Sequence, residues 1–115
     1  MIIFRYGAGE AKPIDRFGSS NVVISRLAHV AGEATIHWIY LHPGGVLGSH
    51  PAVENQLFLV VQGSGWVSGA ADETMPITAG QAAFWEAGER HTSRTDTGMT
   101  AIVVEGKGLD PAAFI

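Results

Sequence analysis

The chain has 115 residues, enough for one domain whose core folds without added cross-links, and we expect a single domain over 1–115. It contains no cysteine, which excludes disulfides and thiolate metal sites. The formal net charge of −4, without any basic run, argues against nucleic acid and anionic membranes as partners. The apolar run before Arg5 is too short for a signal peptide and no later stretch could span a membrane, so we expect a cytoplasmic protein.

The first half of the chain is typical of short β-strands separated by turns. Fifteen glycines in a sequence that is 46% hydrophobic indicate many turns between buried strands rather than disorder. Pro13 restricts its segment to a sheet edge or an irregular arm. The predicted elements are an edge strand at 2–6, the arm at 11–17, a strand at 21–28 and a longer strand at 34–41.

The second half continues the same pattern around one strongly apolar strand. Residues 56–61 are apolar on both strand faces, which favours the interior of a sandwich or barrel. Gly63-Ser64-Gly65 predicts a tight turn, after which 66–68 would pair back as a hairpin. Further strands are predicted at 74–78, 81–85, 91–95 (polar and half exposed) and 99–104, and a short helical turn at 110–114. The pattern predicts an all-β antiparallel sandwich or barrel.

Two glycine-framed segments each present one histidine. Segment 44–63 places Gly44, His50 and Gly63 in the spacing G-x5-H-x-H-x3-E-x6-G, with Ala52 at its second His and Gln56 at its Glu. This segment resembles the first motif of the cupin superfamily, in a degenerate form.

A second segment, 80–95, strengthens the resemblance. Gly80, Gly88 and His91 fit the spacing G-x5-P-x-G-x2-H-x3-N of the second cupin motif, with Glu86 at its Pro and Thr95 at its Asn. The chain is similar to small single-domain cupins of the type-2 kind. The resemblance implies a cupin-like antiparallel jelly-roll β-barrel, with motif one at 44–63 and motif two at 80–95.

The resemblance also implies a place for a divalent metal. In cupins that bind metal, two His and a Glu from the first motif and one His from the second hold the ion. His50 and His91 carry over as ligands, whereas Ala52 cannot ligate and Gln56 offers only a neutral amide oxygen. Glu54 would restore a two-His-one-carboxylate set if its carboxylate pointed inward. We therefore expect either no cofactor or a weakly bound Zn, Fe, Mn or Ni ion.

A small-molecule pocket is expected beside these histidines. Strand alternation places Phe58 on the face of Gln56, and neighbouring strands carry further aromatic side chains. Apolar walls with a few converging polar groups are the usual form of such a site. The candidate ligand-binding residues are His50, Gln56, Phe58, His91, Trp38 and Tyr40.

Three functional hypotheses remain open on the sequence. The first is a small-molecule-binding cupin with a degraded metal site. The second is a metal-dependent dioxygenase or isomerase that uses His50, His91 and either Glu54 or Gln56. The third is a metal-free isomerase or epimerase with a histidine as base and Tyr40 as acid.

A homodimer is also expected. Leu57, Leu59 and Val61 make one face of the central strand apolar, and we predict that this face is the outer one. The arm at 1–17 is too interrupted by Pro and Gly to be stable alone, so it would add to an edge strand of its own sheet or a neighbour's.

Overall fold

The computed structural model describes residues 1–111, and all regular secondary structure in this range is β. The strands are β1 (Ile2–Arg5), β2 (Lys12–Pro13), β3 (Val23–Ile24), β4 (Ala34–Leu41), β5 (Val46–Pro51), β6 (Asn55–Ser68), β7 (Thr74–Thr78), β8 (Gln81–Trp85), β9 (Arg90–Arg94) and β10 (Met99–Gly106). Every pairing is antiparallel. The predicted helical turn falls mainly on 112–114, outside the described residues. Within 1–111 there is no helix that could span a membrane.

The central strand β6 belongs to two sheets. Its first half lies between β8 and β10 in a sheet ordered β1-β8-β6-β10-β4. Its second half, from Ser64 to Ser68, pairs with β7 and β9, and β9 also pairs with β5. The all-β antiparallel fold predicted from the sequence is confirmed.

The predicted hairpin at Gly63 is wrong. The chain continues through Gly63 as one strand. This glycine adopts a left-handed φ of 82°, and at this bend β6 passes from the first sheet into the second. A Cβ built at Gly63 would lie 2.2 Å from the carbonyl oxygen of Gly98, so the bend brings two backbones into direct contact. The glycine serves a close approach within a strand and not a turn.

A hydrophobic core lies between the two sheets. Its buried members come from both sheets, and they are Leu41, Phe58, Val60, Val67, Ile77, Ala83, Trp85, Met99, Ala101 and Val103. This placement follows from strand alternation, since Phe58 and Val60 share one face of β6 and Met99, Ala101 and Val103 share one face of β10.

The other face of β6 is covered by a second cluster. Leu57 and Leu59 are buried there, packed with partly buried residues of the 27–30 segment. Leu57 and Leu59 thus lie on the face away from the core between the sheets, as predicted, but this face is covered, and of the three residues only Val61 is exposed. The chain's own N-terminal region occupies the surface that sequence reasoning reserved for a partner.

Besides the 27–30 segment, strand β1 also attaches the N-terminal region to the rest of the fold. β1 adds to the edge of the first sheet by pairing with β8 of the same chain, one of the two expected outcomes. The predicted strand at 21–28 shortens to the two residues of β3, which pair only with β2. The side chains of Val23 and Ile24 are exposed, so this small ribbon has no second layer to bury them.

Candidate functional site

The two motif histidines meet on neighbouring strands. His50 on β5 and His91 on β9 are register partners, and their ring centroids lie 4.4 Å apart. His91 is buried, with 3% of its surface exposed, and His50 is half-buried. The segment predicted as half exposed contains three buried side chains, His91, Ser93 and Thr95, because β9 lies between β5 and β6.

Backbone carbonyls select the tautomer of both imidazoles. The Nδ1 atom of His91 lies 3.0 Å from the carbonyl oxygen of Glu89, and the Nδ1 atom of His50 lies 2.6 Å from that of Gly48. A carbonyl can only accept, so each Nδ1 carries the hydrogen and each neutral ring has its lone pair on Nε2. The Nε2 atom of His91 is buried and has no hydrogen-bond partner among the described residues.

Two aromatic rings form the wall behind the histidines. The indole of Trp85 stacks on His91 at 4.3 Å and 24°, and Phe58 meets Trp85 edge-on at 5.8 Å. Both aromatic residues are almost fully buried. The Nε1 atom of Trp85 is a second buried polar atom without a partner in the described chain. The polar groups of this site are therefore set against an apolar wall.

The pKa of His91 is lowered. The largest cause is burial, which disfavours the charged ring, and the neighbouring His50 adds to the effect. Donation from Nδ1 to the Glu89 carbonyl and the carboxylates of Glu105 and Glu89 act in the opposite direction without reversing it. His91 is therefore neutral at neutral pH and offers its Nε2 lone pair.

Glu89 anchors the turn that precedes β9 and His91. Although burial raises its pKa, hydrogen bonds and the N-terminal ammonium lower it overall. Its backbone carbonyl accepts from both His91 and the amide of Ala52. The donors to its carboxylate are the amides of Ala70 and Glu86 and the α-amino group of Met1, at 3.0, 3.1 and 3.0 Å.

A carboxylate that sequence reasoning missed lies near the histidines. Glu105 on β10 is the register partner of Gln56 on β6, and the Nε2 atom of Gln56 donates to Oε2 of Glu105 at 3.0 Å. Its charge acts on His91. The signal was present in the sequence, because Glu105 continues the inward face of Ala101 and Val103, but the strand was predicted to end at 104.

Glu54 lies at the wall of an open cavity of about 630 Å³. The lining residues of this cavity are Gly32, Glu33, Ala34, Thr35, Glu54, Glu105, Gly106 and Lys107. His50 and His91 are not among them. Glu105 therefore both lines the cavity and acts on the charge of His91, whereas Glu54 is found at the cavity alone.

Comparison with known proteins assigns the family. A model of the cupin domain matches residues 37–108. The chain is a cupin. No curated protein matches its sequence.

The fold of this cupin recurs in solved structures at low sequence identity. A cupin superfamily protein from Desulfitobacterium hafniense is 13% identical, with a TM-score of 0.62 over 77% of this chain and 81% of that one. An RmlC-like cupin from Shewanella frigidimarina is 24% identical, with a TM-score of 0.60 over 70% and 68%. A predicted oxalate decarboxylase from Thermotoga maritima is 23% identical, with a TM-score of 0.56 over 66% and 64%. Such identities establish the fold alone.

The residues of this cupin do not fit the metal site of its family pattern. At the second His position, Ala52 buries a methyl group, and at the Glu position the amide of Gln56 is engaged by Glu105. Within 1–111, no three His, Asp or Glu side chains converge in a way that could hold an ion. The condition under which Glu54 would complete the set is therefore not met among the described residues, where His50 and His91 are the two strong donors that meet.

Trp38 and Tyr40 lie away from this site. On β4, Ile39 and Leu41 pack into the core between the sheets, so the alternating positions face outward. Trp38 and Tyr40 stack on each other at 6.3 Å and are 67% and 40% exposed. The prediction that Trp38 and Tyr40 line the pocket is wrong, because they lie on the face of β4 that points away from the core. Of the other candidates, His50, Gln56, Phe58 and His91 all lie on the inward side.

Proposed function

We propose that this cupin binds a small organic molecule between its two sheets, with His50 and His91 as its polar contacts and a degraded metal site. The two sheets would form a jelly-roll barrel around that ligand. The observation that carries the proposal is the buried, unpartnered Nε2 atom of His91. A buried acceptor without a partner costs about 1–3 kcal/mol, and a bound ligand that donates to it would remove that cost.

The surroundings of His91 suit an organic ligand. Phe58 and Trp85 supply an apolar wall, while His50, Gln56 and Glu105 supply polar groups on neighbouring strands. Few polar groups against an apolar wall is the usual composition of a ligand site. The neutral imidazole of His91 accepts a hydrogen bond at its Nε2 lone pair, so the ligand would donate at least one.

A metal-dependent enzyme is the second candidate, because the same tautomers that prepare His50 and His91 to accept also prepare them to ligate. A dioxygenase or isomerase of this kind would rely on two imidazoles, with waters or substrate as the other ligands. The lost His and Glu of the family pattern make such a site weak. The metal-free isomerase hypothesis keeps a neutral His91 as base, but Tyr40 on the outer face gives it no acid.

Two measurements on protein purified without chelator separate these candidates. Elemental analysis should find metal well below one equivalent. Ligand-observed NMR with benzylamine, benzyl alcohol and benzoate should detect binding that His91→Ala removes. His42→Ala is the matched control, because His42 contacts the ring of Tyr40 on the outer face. One full equivalent of Fe, Mn, Ni or Zn that is lost in His91→Ala would favour the metal enzyme instead.

A further inference from the structure

Glu105 belongs to both the open cavity and the histidine site, and its carboxylate gives the region between them a negative charge. Glu105 lines the cavity, accepts from Gln56 and acts electrostatically on His91. A ligand that reaches both the cavity and the histidines would therefore meet this carboxylate.

The rest of the cavity reinforces that charge. Its lining holds three carboxylate residues and one ammonium, which are Glu33, Glu54, Glu105 and Lys107. The single lysine leaves a net excess of two negative charges. A concave surface lined mainly by one sign of charge raises the local concentration of the opposite sign.

The histidine site offers hydrogen-bond acceptors. The tautomers set by the carbonyls of Gly48 and Glu89 leave lone pairs on the Nε2 atoms of His50 and His91. The side-chain amide of Gln56 donates to one carboxylate oxygen of Glu105, Oε2, and makes no hydrogen bond to the other oxygen. Of the buried polar atoms without a partner in the described chain, one is this His91 acceptor and the other is the indole N–H of Trp85.

We propose that the ligand of this site is a small organic cation that carries N–H groups, of the amine or guanidine class. Its N–H groups donate to His50 and His91, and its charge pairs with Glu105. This inference rests on the proposed small-molecule function and specifies the class of ligand. An anionic ligand would instead meet an excess of carboxylates and lone pairs, with too few donors to replace its water.

Titration calorimetry at low salt tests the proposal with three probes of one shape. Benzylamine, benzyl alcohol and benzoate share a ring and differ in charge. We expect benzylamine to bind about tenfold more tightly than benzyl alcohol, the ratio that one favourable charge interaction of roughly 1.4 kcal/mol gives, and benzoate to bind most weakly. Glu105→Gln should remove the preference, because an amide keeps the shape and loses the charge. Glu73→Gln, an exposed carboxylate outside the cavity lining, should leave the preference unchanged.

The outcomes distinguish the preference for cations from the small-molecule function on which it rests. If benzyl alcohol binds as tightly as benzylamine and His91→Ala removes both, the site stands and its preference for cations is refuted. Tighter binding of benzoate refutes the cation class in the same way. If no probe responds to His91→Ala while the variant keeps the wild-type Tm, the small-molecule function itself fails.

Discussion

At the scale of single residues, the burial of His91 links the site to pH. The pKa of its imidazole is lowered in the folded protein, mainly because burial disfavours the charged ring. In the unfolded chain the ring titrates at its ordinary value of about 6.5. Between the lower folded value and about 6.5 the unfolded state binds more protons, so stability rises with pH through that window and is lost as pH falls.

We therefore expect His91→Gln to flatten the pH dependence of stability. Urea unfolding of the wild type should give a smaller free energy of unfolding at about pH 5.5 than at about pH 7.5, and the variant should lose part of this difference. His42→Gln changes an exposed imidazole and should keep the wild-type dependence. Equal pH slopes in wild type and His91→Gln would show that burial does not perturb His91.

Sequence spacing was enough to pair the two histidines, but not to assemble the groups around them. His50 and His91 meet because β5 and β9 are neighbouring antiparallel strands on which the two residues are register partners. Glu105 was missed because a charged residue at a strand end is usually solvated, and only its register with Gln56 shows that it shares the site. Glu54 lies within motif one in sequence, four residues after His50, yet it lies in the wall of the neighbouring cavity.

At the scale of elements, β6 and β4 show where local patterns are ambiguous. Glycines are common to tight turns and to bends within a strand, so Gly63-Ser64-Gly65 predicted a hairpin where one strand passes between two sheets. In β4 both alternating faces contain apolar side chains. Only the pairing with β10 shows that Ile39 and Leu41 point inward, leaving Trp38 outside.

The bend in β6 makes Gly63 indispensable. We expect Gly63→Ala to lower the free energy of unfolding by about 2 kcal/mol or more, because it combines a left-handed φ with a backbone clash. Gly9→Ala is the control, since a Cβ at Gly9 meets no atom within 4 Å and its φ is outside the left-handed region. Chemical denaturation of both variants measures the difference. Similar stabilities would mean that β6 can bend elsewhere.

At the scale of the whole molecule, the fold class followed from many short apolar strands and frequent turns, but their order in space did not. The sequence gives no direct signal for β1 joining β8, or for the 27–30 segment covering Leu57 and Leu59. Both depend on contacts between distant parts of the chain. The face of β6 that was predicted to bind a partner is covered by the chain itself, so an association surface is expected elsewhere.

The edge strand β4 now presents the best surface for the expected homodimer. Among the described strands it pairs only with β10, and its eight residues, ATIHWIYL, contain no Lys, Arg, Asp, Glu or Pro to block further pairing. Ile36 and Trp38 are 68% and 67% exposed beside this edge. Two copies can pair their β4 edges antiparallel about a twofold axis without bringing formal charges together.

Light scattering at micromolar concentration should therefore give a dimer mass, and Trp38→Lys should shift it to the monomer. The lysine places a charge beside the unpaired edge in both copies, and like charges across the axis repel. Met75→Lys makes the same kind of change at an exposed position on β7, in the other sheet, and should leave the dimer intact. A monomeric wild type would refute association altogether, whereas a dimer that survives Trp38→Lys would place the interface on another face.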